Sequence, residues 1–144
     1  MADEPVRRLD HVGLNVADID AAERWYCEAF GYVRDLAVRL EALDMDIVML
    51  IHPVRGDRLE LLHRSGSTPG LRAADAAEAV LTEGFGHIAF DCPDVDQAYD
   101  RLLARGARPV MTPRPSPEPG VRMAFVADPE GNLLELLDRS GPPP

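Results

Sequence analysis

The chain is short of three things, and each shortage excludes a class of protein. No apolar run approaches the ~20 residues needed to cross a bilayer. No stretch has the make-up of a secretory signal. The expectation is therefore a soluble cytoplasmic protein with no membrane partner. Cysteine is scarce: Cys27 and Cys92 are the only two among 144 residues. Two are too few for a disulfide framework, and their spacing matches no metal motif, so two reduced thiols are expected. Positive charge is also short, with 15 basic residues against 25 acidic ones and a net charge of −10. That excess repels a nucleic-acid backbone and argues against such a partner. It leaves room for an anionic small substrate, because a local arginine or a metal ion overrides the overall field.

What the chain does have is an internal repeat, and 46% apolar residues with which to build a core. Leu9-Asp10-His11-Val12-Gly13-Leu14-Asn15-Val16 and Phe85-Gly86-His87-Ile88-Ala89-Phe90-Asp91 both read as short strands. Their histidines lie 87 − 11 = 76 residues apart. Asp18 and Asp94, Asp20 and Asp96, and Ala22 and Ala98 repeat the same offset. Asp18 and Asp94 stand where helix N-caps belong, and Gly31 and Gly106 where helices end. Gly56-Asp57-Arg58-Leu59-Glu60-Leu61-Leu62 matches Gly131-Asn132-Leu133-Leu134-Glu135-Leu136-Leu137 at an offset of 135 − 60 = 75. The order strand, helix, three strands occurs twice, as expected of a duplicated βαβββ unit.

The expected organisation is α+β: two tandem βαβββ modules forming a cupped mixed sheet. The first module spans 1–64 and the second 84–138. A linker at 65–83 is alanine-rich from Leu71 to Val80 and reads as a helix. Residues 111–120 hold four prolines and read as a loop over the site. Residues 139–144 end in three prolines and are expected to be a disordered tail.

Each module offers one histidine in its first strand and one glutamate in its last: His11 and Glu60, His87 and Glu135. Residues two apart on a strand share a face. Glu60 and Glu135 therefore point away from the leucines beside them, Leu59/Leu61 and Leu134/Leu136. A half-buried carboxylate is costly unless paired or ligated. No lysine or arginine stands at the matching position of both repeats. A shared cation answers both glutamates at once. Two imidazoles and two carboxylates suit one divalent ion, Zn, Ni, Co, Mn or Fe, with positions left for substrate or water. His63, on the opposite face from Glu60, is expected to be structural, and His52, before Pro53, to sit at a turn. Trp25 and Tyr26 are expected to pack under the sheet.

With these residues in place, the chain resembles the vicinal oxygen chelate (glyoxalase / bleomycin resistance / extradiol dioxygenase) superfamily. The most specific stretches are Leu9–Leu14, Gly86–Phe90 and Phe125–Leu136, and the resemblance runs from about Leu9 to Leu137. Within the superfamily the pattern is closest to methylmalonyl-CoA epimerase and glyoxalase I. Extradiol dioxygenases use two His and one Glu, whereas Glu60 here fills the place they leave unligated. The resemblance implies a glyoxalase-like fold, a homodimer and a small-molecule substrate. It implies an isomerase or lyase that moves a proton next to a carbonyl through a metal-stabilised enediolate. Glu135 and Glu60 are the candidate bases at the metal, and Glu41 is a separate candidate. Met45, Met49, Met123 and Phe125 are candidate walls of the substrate pocket, and Arg122 is a candidate for an anionic substrate group. The alternatives are an Fe(II) extradiol-type dioxygenase and a non-catalytic small-molecule binder that confers antibiotic resistance.

Overall fold

The computed structural model describes residues 5–141. The chain divides into two compact units, Met1–Ser67 and Thr68–Pro144. The first unit contains β1 (Val12–Asn15), α1 (Ile19–Phe30), β2 (Val33–Leu40), β3 (Met45–Ile51) and β4 (Arg58–Arg64). A single 3-10 turn, Glu41–Leu43, separates β2 from β3. The second contains α2 (Ala76–Ala79), β5 (His87–Asp91), α3 (Val95–Leu103), β6 (Arg108–Pro115), β7 (Arg122–Ala127) and β8 (Leu133–Asp138). Each unit builds one four-stranded mixed sheet, ordered β1-β4-β3-β2 and β5-β8-β7-β6. The first strand runs parallel to the last in each, and the other pairings are antiparallel. The duplicated βαβββ reading holds. Among the described residues no helix is long and apolar enough to cross a membrane.

Local chemistry explains why the helices start where they do. The Asp18 side chain accepts from the Ala21 N–H at 2.9 Å, and Asp94 accepts from the Gln97 N–H at 2.9 Å. Each satisfies a backbone donor that the first helical turn leaves without a partner. Gly31 ends α1 at φ +76, with its N–H bonded to the Cys27 carbonyl. Helices α1 and α3 pack on one side of their sheets, while α2 lies on the other side of the second sheet, against Phe125, Ala127 and Leu133. Trp25 and Tyr26 of α1, and Val95, Tyr99 and Leu102 of α3, are buried there. Leu59, Leu61, Leu134 and Leu136 are buried as well. The other side of each sheet carries Glu60 and Glu135.

Four expectations change in the structure. The linker helix is four residues long, not ten. Asp75 caps it by accepting from the Glu78 N–H, so it cannot begin at Leu71. The stretch before it packs instead: Ala73 is buried with Phe125, Ala127 and Leu133, and Leu71 packs against that cluster. Apolar burial outweighs alanine's helix propensity. The linker is thus part of the second unit rather than a separate segment. The loop expected at 111–120 is largely strand, because β6 runs on to Pro115. It is an edge strand with register shifts between Pro109 and Met111 and between Met111 and Arg114. An edge with bulges tolerates proline's missing N–H. Residues 139–141, expected to be disordered, are held: Arg139 pairs with Glu118, and the Ser140 N–H donates to Asp138 at 2.7 Å. Pro142 to Pro144 lie outside the described residues. Finally, β1 starts at Val12 and β5 at His87, so the histidines stand at the strand entrances.

Gly31→Ala should destabilise the fold by about 1–2 kcal/mol, because a side chain is disfavoured at that φ. A Cβ there would also meet the His52 Nε2 at 3.3 Å. Gly56 has nearly the same φ, +77, with nothing within 4 Å. Gly56→Ala should therefore cost less in urea unfolding followed by Trp25 fluorescence, and equal losses would remove the His52 contribution.

Candidate metal-binding pairs

Register places each imidazole over a carboxylate. In the first unit Gly13 of β1 lies opposite Glu60 of β4. His11, two residues earlier, is on the same face. Its Nε2 is 3.3 Å from Glu60 Oε2. In the second unit Ala89 lies opposite Glu135, and His87 Nε2 is 3.0 Å from Glu135 Oε2. Glycine and alanine are small enough to leave the carboxylate its path to the imidazole. The carboxylates are mostly covered, with side chains 21% and 17% exposed, and the imidazoles are about twice as open at 35% and 39%. Phe125 meets the His87 ring edge-on at 5.3 Å.

Asp10, a residue the motif reading passed over, orients the first pair. Its Oδ1 lies 2.8 Å from His11 Nδ1. A carboxylate accepts only, so Nδ1 carries the hydrogen toward Asp10, and it is loss of the second ring proton that would free the Nε2 lone pair beside Glu60 for a metal. The same hydrogen bond is the main reason the His11 pKa lies above its ordinary value; burial opposes it and the Glu60 charge adds to it. Asp10 in turn is held below the usual carboxylate range, chiefly by that bond. The signal was present in the sequence as an acid directly beside the histidine.

Two donors each bound about 2.1 Å from one ion sit about 3.0 Å apart at a right angle and about 3.4 Å apart at the tetrahedral angle. The separations of 3.0 and 3.3 Å fall on these values. The N/O donor set therefore fits a borderline divalent cation. Each pair supplies two donors. Among the described residues no group of three or more His, Cys, Asp or Glu converges.

The remaining candidates divide by face. Met49 lies opposite Glu60, and Phe125 lies opposite Glu135 with Met123 two residues along, so all three share the carboxylate faces. Met45 lies on the Glu60 face by the same register. Arg122 does not share the Glu135 face: it lies opposite Asp138, on the helix side, and forks onto Asp96 of α3 at 2.6 and 2.8 Å. That arginine ties helix to sheet and is not free for a substrate anion on the Glu135 face. Glu41 stands in the 3-10 turn beyond β2 with its side chain 83% exposed, 3.5 Å from Arg39. The structure does not bring it to His11 and Glu60.

The other two histidines are structural. His63 Nδ1 donates to the Val16 carbonyl at 2.9 Å, and His52 Nδ1 accepts from the Arg55 N–H at 3.0 Å across its turn. An open cleft of about 430 Å³ on the outer side of α1 is lined by Cys27 and charged residues, among them the Glu23–Arg34 ion pair. It includes neither imidazole–carboxylate pair.

Comparison with known proteins follows the same lines. A profile described as the Glyoxalase/Bleomycin resistance protein/Dioxygenase superfamily matches residues 8–136. A putative lactoylglutathione lyase of Brassica oleracea is 29% identical over 140 residues, which is 96% of this chain and 46% of that protein. The chain thus spans about half the length of that relative. An ethylmalonyl-CoA/methylmalonyl-CoA epimerase of Cereibacter sphaeroides is 29% identical over 103 residues, 72% of this chain and 74% of that one. Among solved structures, a glyoxalase family protein from Bacillus cereus superposes with a TM-score of 0.76 at 22% identity, covering 96% of this chain and 97% of the other. At that identity the likeness shows the fold alone.

The two thiols lie apart from the imidazole–carboxylate pairs. Burial, then the charges of Asp91 and Asp138, push the Cys92 thiol up to about 11. Burial likewise pushes Cys27 up. At neutral pH Cys92 should react with iodoacetamide roughly a hundredfold more slowly than free cysteine, since only thiolate reacts. The rate should climb with pH toward 11 and reach that of free cysteine in denaturant. A free-cysteine rate in the folded chain at pH 7.5 would show the thiol to be unshifted.

Proposed function

Because the chain belongs to the Glyoxalase/Bleomycin resistance protein/Dioxygenase superfamily, we propose that it is a metal-dependent isomerase or lyase moving a proton on the carbon next to a carbonyl. The observation that carries this reading is the duplicated imidazole–carboxylate pair at donor–donor spacing. The proposed ligands are His11, Glu60, His87 and Glu135, and the proposed cofactor is one divalent ion among Zn, Ni, Co, Mn and Fe. The chain is proposed to work as a cytoplasmic homodimer on a small-molecule substrate. The relatives named as a lyase and as an epimerase favour proton transfer over ring cleavage or passive binding.

A bound divalent ion supplies positive charge beside the carbonyl oxygen, which makes the neighbouring C–H more acidic. The protein's own residues do the rest. Glu135 or Glu60 takes the proton and returns it, acting as general base and then general acid. Partial burial keeps bulk water from competing for that proton. Met49, Met123 and Phe125 hold the carbon skeleton by apolar contact. Asp10 keeps the His11 tautomer that leaves Nε2 able to ligate. Glu41 is solvated and beside Arg39, so water competes for any proton it would move. The base is therefore one of the two half-buried glutamates.

The test begins with chelated protein reloaded with single metals. The loaded chain should isomerise the methylglyoxal–glutathione adduct, or exchange solvent deuterium into the α-position of methylmalonyl-CoA. Glu135→Gln should lower kcat by about 10²-fold or more. Glu41→Gln should stay within about twofold. His11→Ala and His87→Ala should each lower metal content per chain. No exchange with any metal would overturn the reading, and oxygen uptake with Fe(II) and a catechol would replace it.

A further inference from the structure

The linker covers part of the Glu135 face. Ala73 and Ala79 are buried with Phe125, Ala127 and Leu133, and Leu71 and Ala76 pack against the same cluster. Register puts the three sheet residues on one side: Phe125 lies opposite Glu135, and Ala127 opposite Leu133. Leu133 in turn lies opposite His87. Directly opposed residues share a side, and so do residues two apart. The linker therefore lies beside the His87–Glu135 pair, against the ring that meets His87 edge-on. The matching positions of the first unit, by the offsets of the repeat, are Met49, Ile51 and Arg58. Those three are half-buried, whereas Phe125, Ala127 and Leu133 are 4%, 0% and 4% exposed. The cover belongs to the second unit.

Arg72 ties this cover to the sheet. Its Nη1 donates to the Leu71 carbonyl at 2.8 Å and to Asn132 Oδ1 at 3.4 Å. Its stem lies on the β7–β8 turn, where a Cβ on Gly131 would stand 2.9 Å from Arg72 Cδ. The acceptor is aimed by a buried carboxylate. Asn132 Nδ2 donates to Asp128 Oδ2 at 2.8 Å, and the Asn132 backbone N–H donates to Asp128 Oδ1 at 2.8 Å. Asp128 is 4% exposed. A carboxylate accepts only, so the amide oxygen of Asn132 is the atom left for Arg72.

The linker is closed on itself and joined to the sheet by little. Asp75 Oδ1 accepts from the Glu78 N–H, and Glu78 Oε2 accepts from the Ala74 N–H, a reciprocal cap within the segment. Its outward contacts are three alanines, one leucine and an arginine bond that is long for its kind. Gly70 precedes it and Gly84, at φ +115, follows it. Such flanks absorb the backbone change when a segment swings as a unit.

We propose that residues 71–79 form a strap, latched by Arg72 to the β7–β8 turn, which lifts to let a ligand reach Phe125. The proposal rests on the reading of the Glu135 face as substrate-binding. A ring 4% exposed holds no carbon skeleton until its cover moves. Arg72 is then a positioning residue that sets how often the wall beside His87 stands open. Lifting bares Phe125, Ala127 and Leu133, an apolar floor that takes an alkyl or aryl group rather than an ion.

The test is amide hydrogen exchange of the full chain, without metal, read by mass spectrometry. The N–H groups of Ala79, Val80 and Leu81 close the turn of α2. They should exchange about tenfold or more faster than those of β7 and β8, because the strap opens without the sheet. Arg72→Ala should speed them about fivefold and leave β7 and β8 unchanged, and Arg72→Lys should fall between. The neutral probe N-phenyl-1-naphthylamine, followed by fluorescence, should bind Arg72→Ala up to about fivefold more tightly than the wild type, since more of the chain is open. The proposal falls if the linker amides exchange only together with β7 and β8, or if Arg72→Ala leaves their rates alone. It falls equally if the probe binds Arg72→Ala no more tightly than the wild type. A strap that opens and admits the probe, in a chain without metal-dependent turnover, would keep this inference and remove the reaction. Turnover with the linker locked to the sheet would do the reverse.

Discussion

The parallel ladder between the first and last strands of each unit is the constraint on which the rest of the structure depends. It runs between β1 and β4 and again between β5 and β8. Parallel strands need a crossover, and α1 and α3 supply it, each started by an aspartate at the same place in the repeat. The crossover lays the helix on one side of the sheet. On the other side of the last strand the histidine at the mouth of the first strand reaches the glutamate in the middle of the last. No loop has to be shaped for this meeting. Strand pairing alone produces it, which is why it appears twice with nearly the same distance, 3.3 and 3.0 Å.

The leucines around each glutamate hold that register in place. Leu59, Leu61, Leu134 and Leu136 are at most 2% exposed, and burying each contributes about 2 kcal/mol. A slip of one residue would turn all of them to the open side and drive Glu60 or Glu135 into the core. An ionised carboxylate among apolar neighbours costs more than the leucines gain. The alternation that buries the core thus also aims the carboxylate, and stability and site geometry share one cause.

This coupling explains what was legible in the sequence. Helix starts at Asp18 and Asp94, the end of α1 at Gly31, the order of strands, and the faces of Glu60, Glu135, Met49, Met123 and Phe125 all follow from local chemistry and a period of two. The repeat marked His11, Glu60, His87 and Glu135 as one set of four around a shared ion; the strand register brings them together as two pairs. What misled was tertiary. The alanine-rich linker reads as a long helix until Ala73 is found buried against β7 and β8. The prolines of β6 read as a loop until the strand proves to be an edge with bulges. Arg122 reads as a substrate ligand until its register turns it toward Asp96. Asp10 was overlooked because a single acid beside a histidine has no period to mark it.

The two halves then differ where the ladder does not constrain them. Edge strands β2 and β6 lie two places from the strand that carries the glutamate, so their outward residues are free to change without disturbing either pair. In β2 that freedom went to exposed aliphatic side chains; in β6 it went to Arg108 and Arg114 on either side of Met111. The ladder thus fixes the imidazole and the carboxylate of each unit, while the edge strand of the same unit can vary around them.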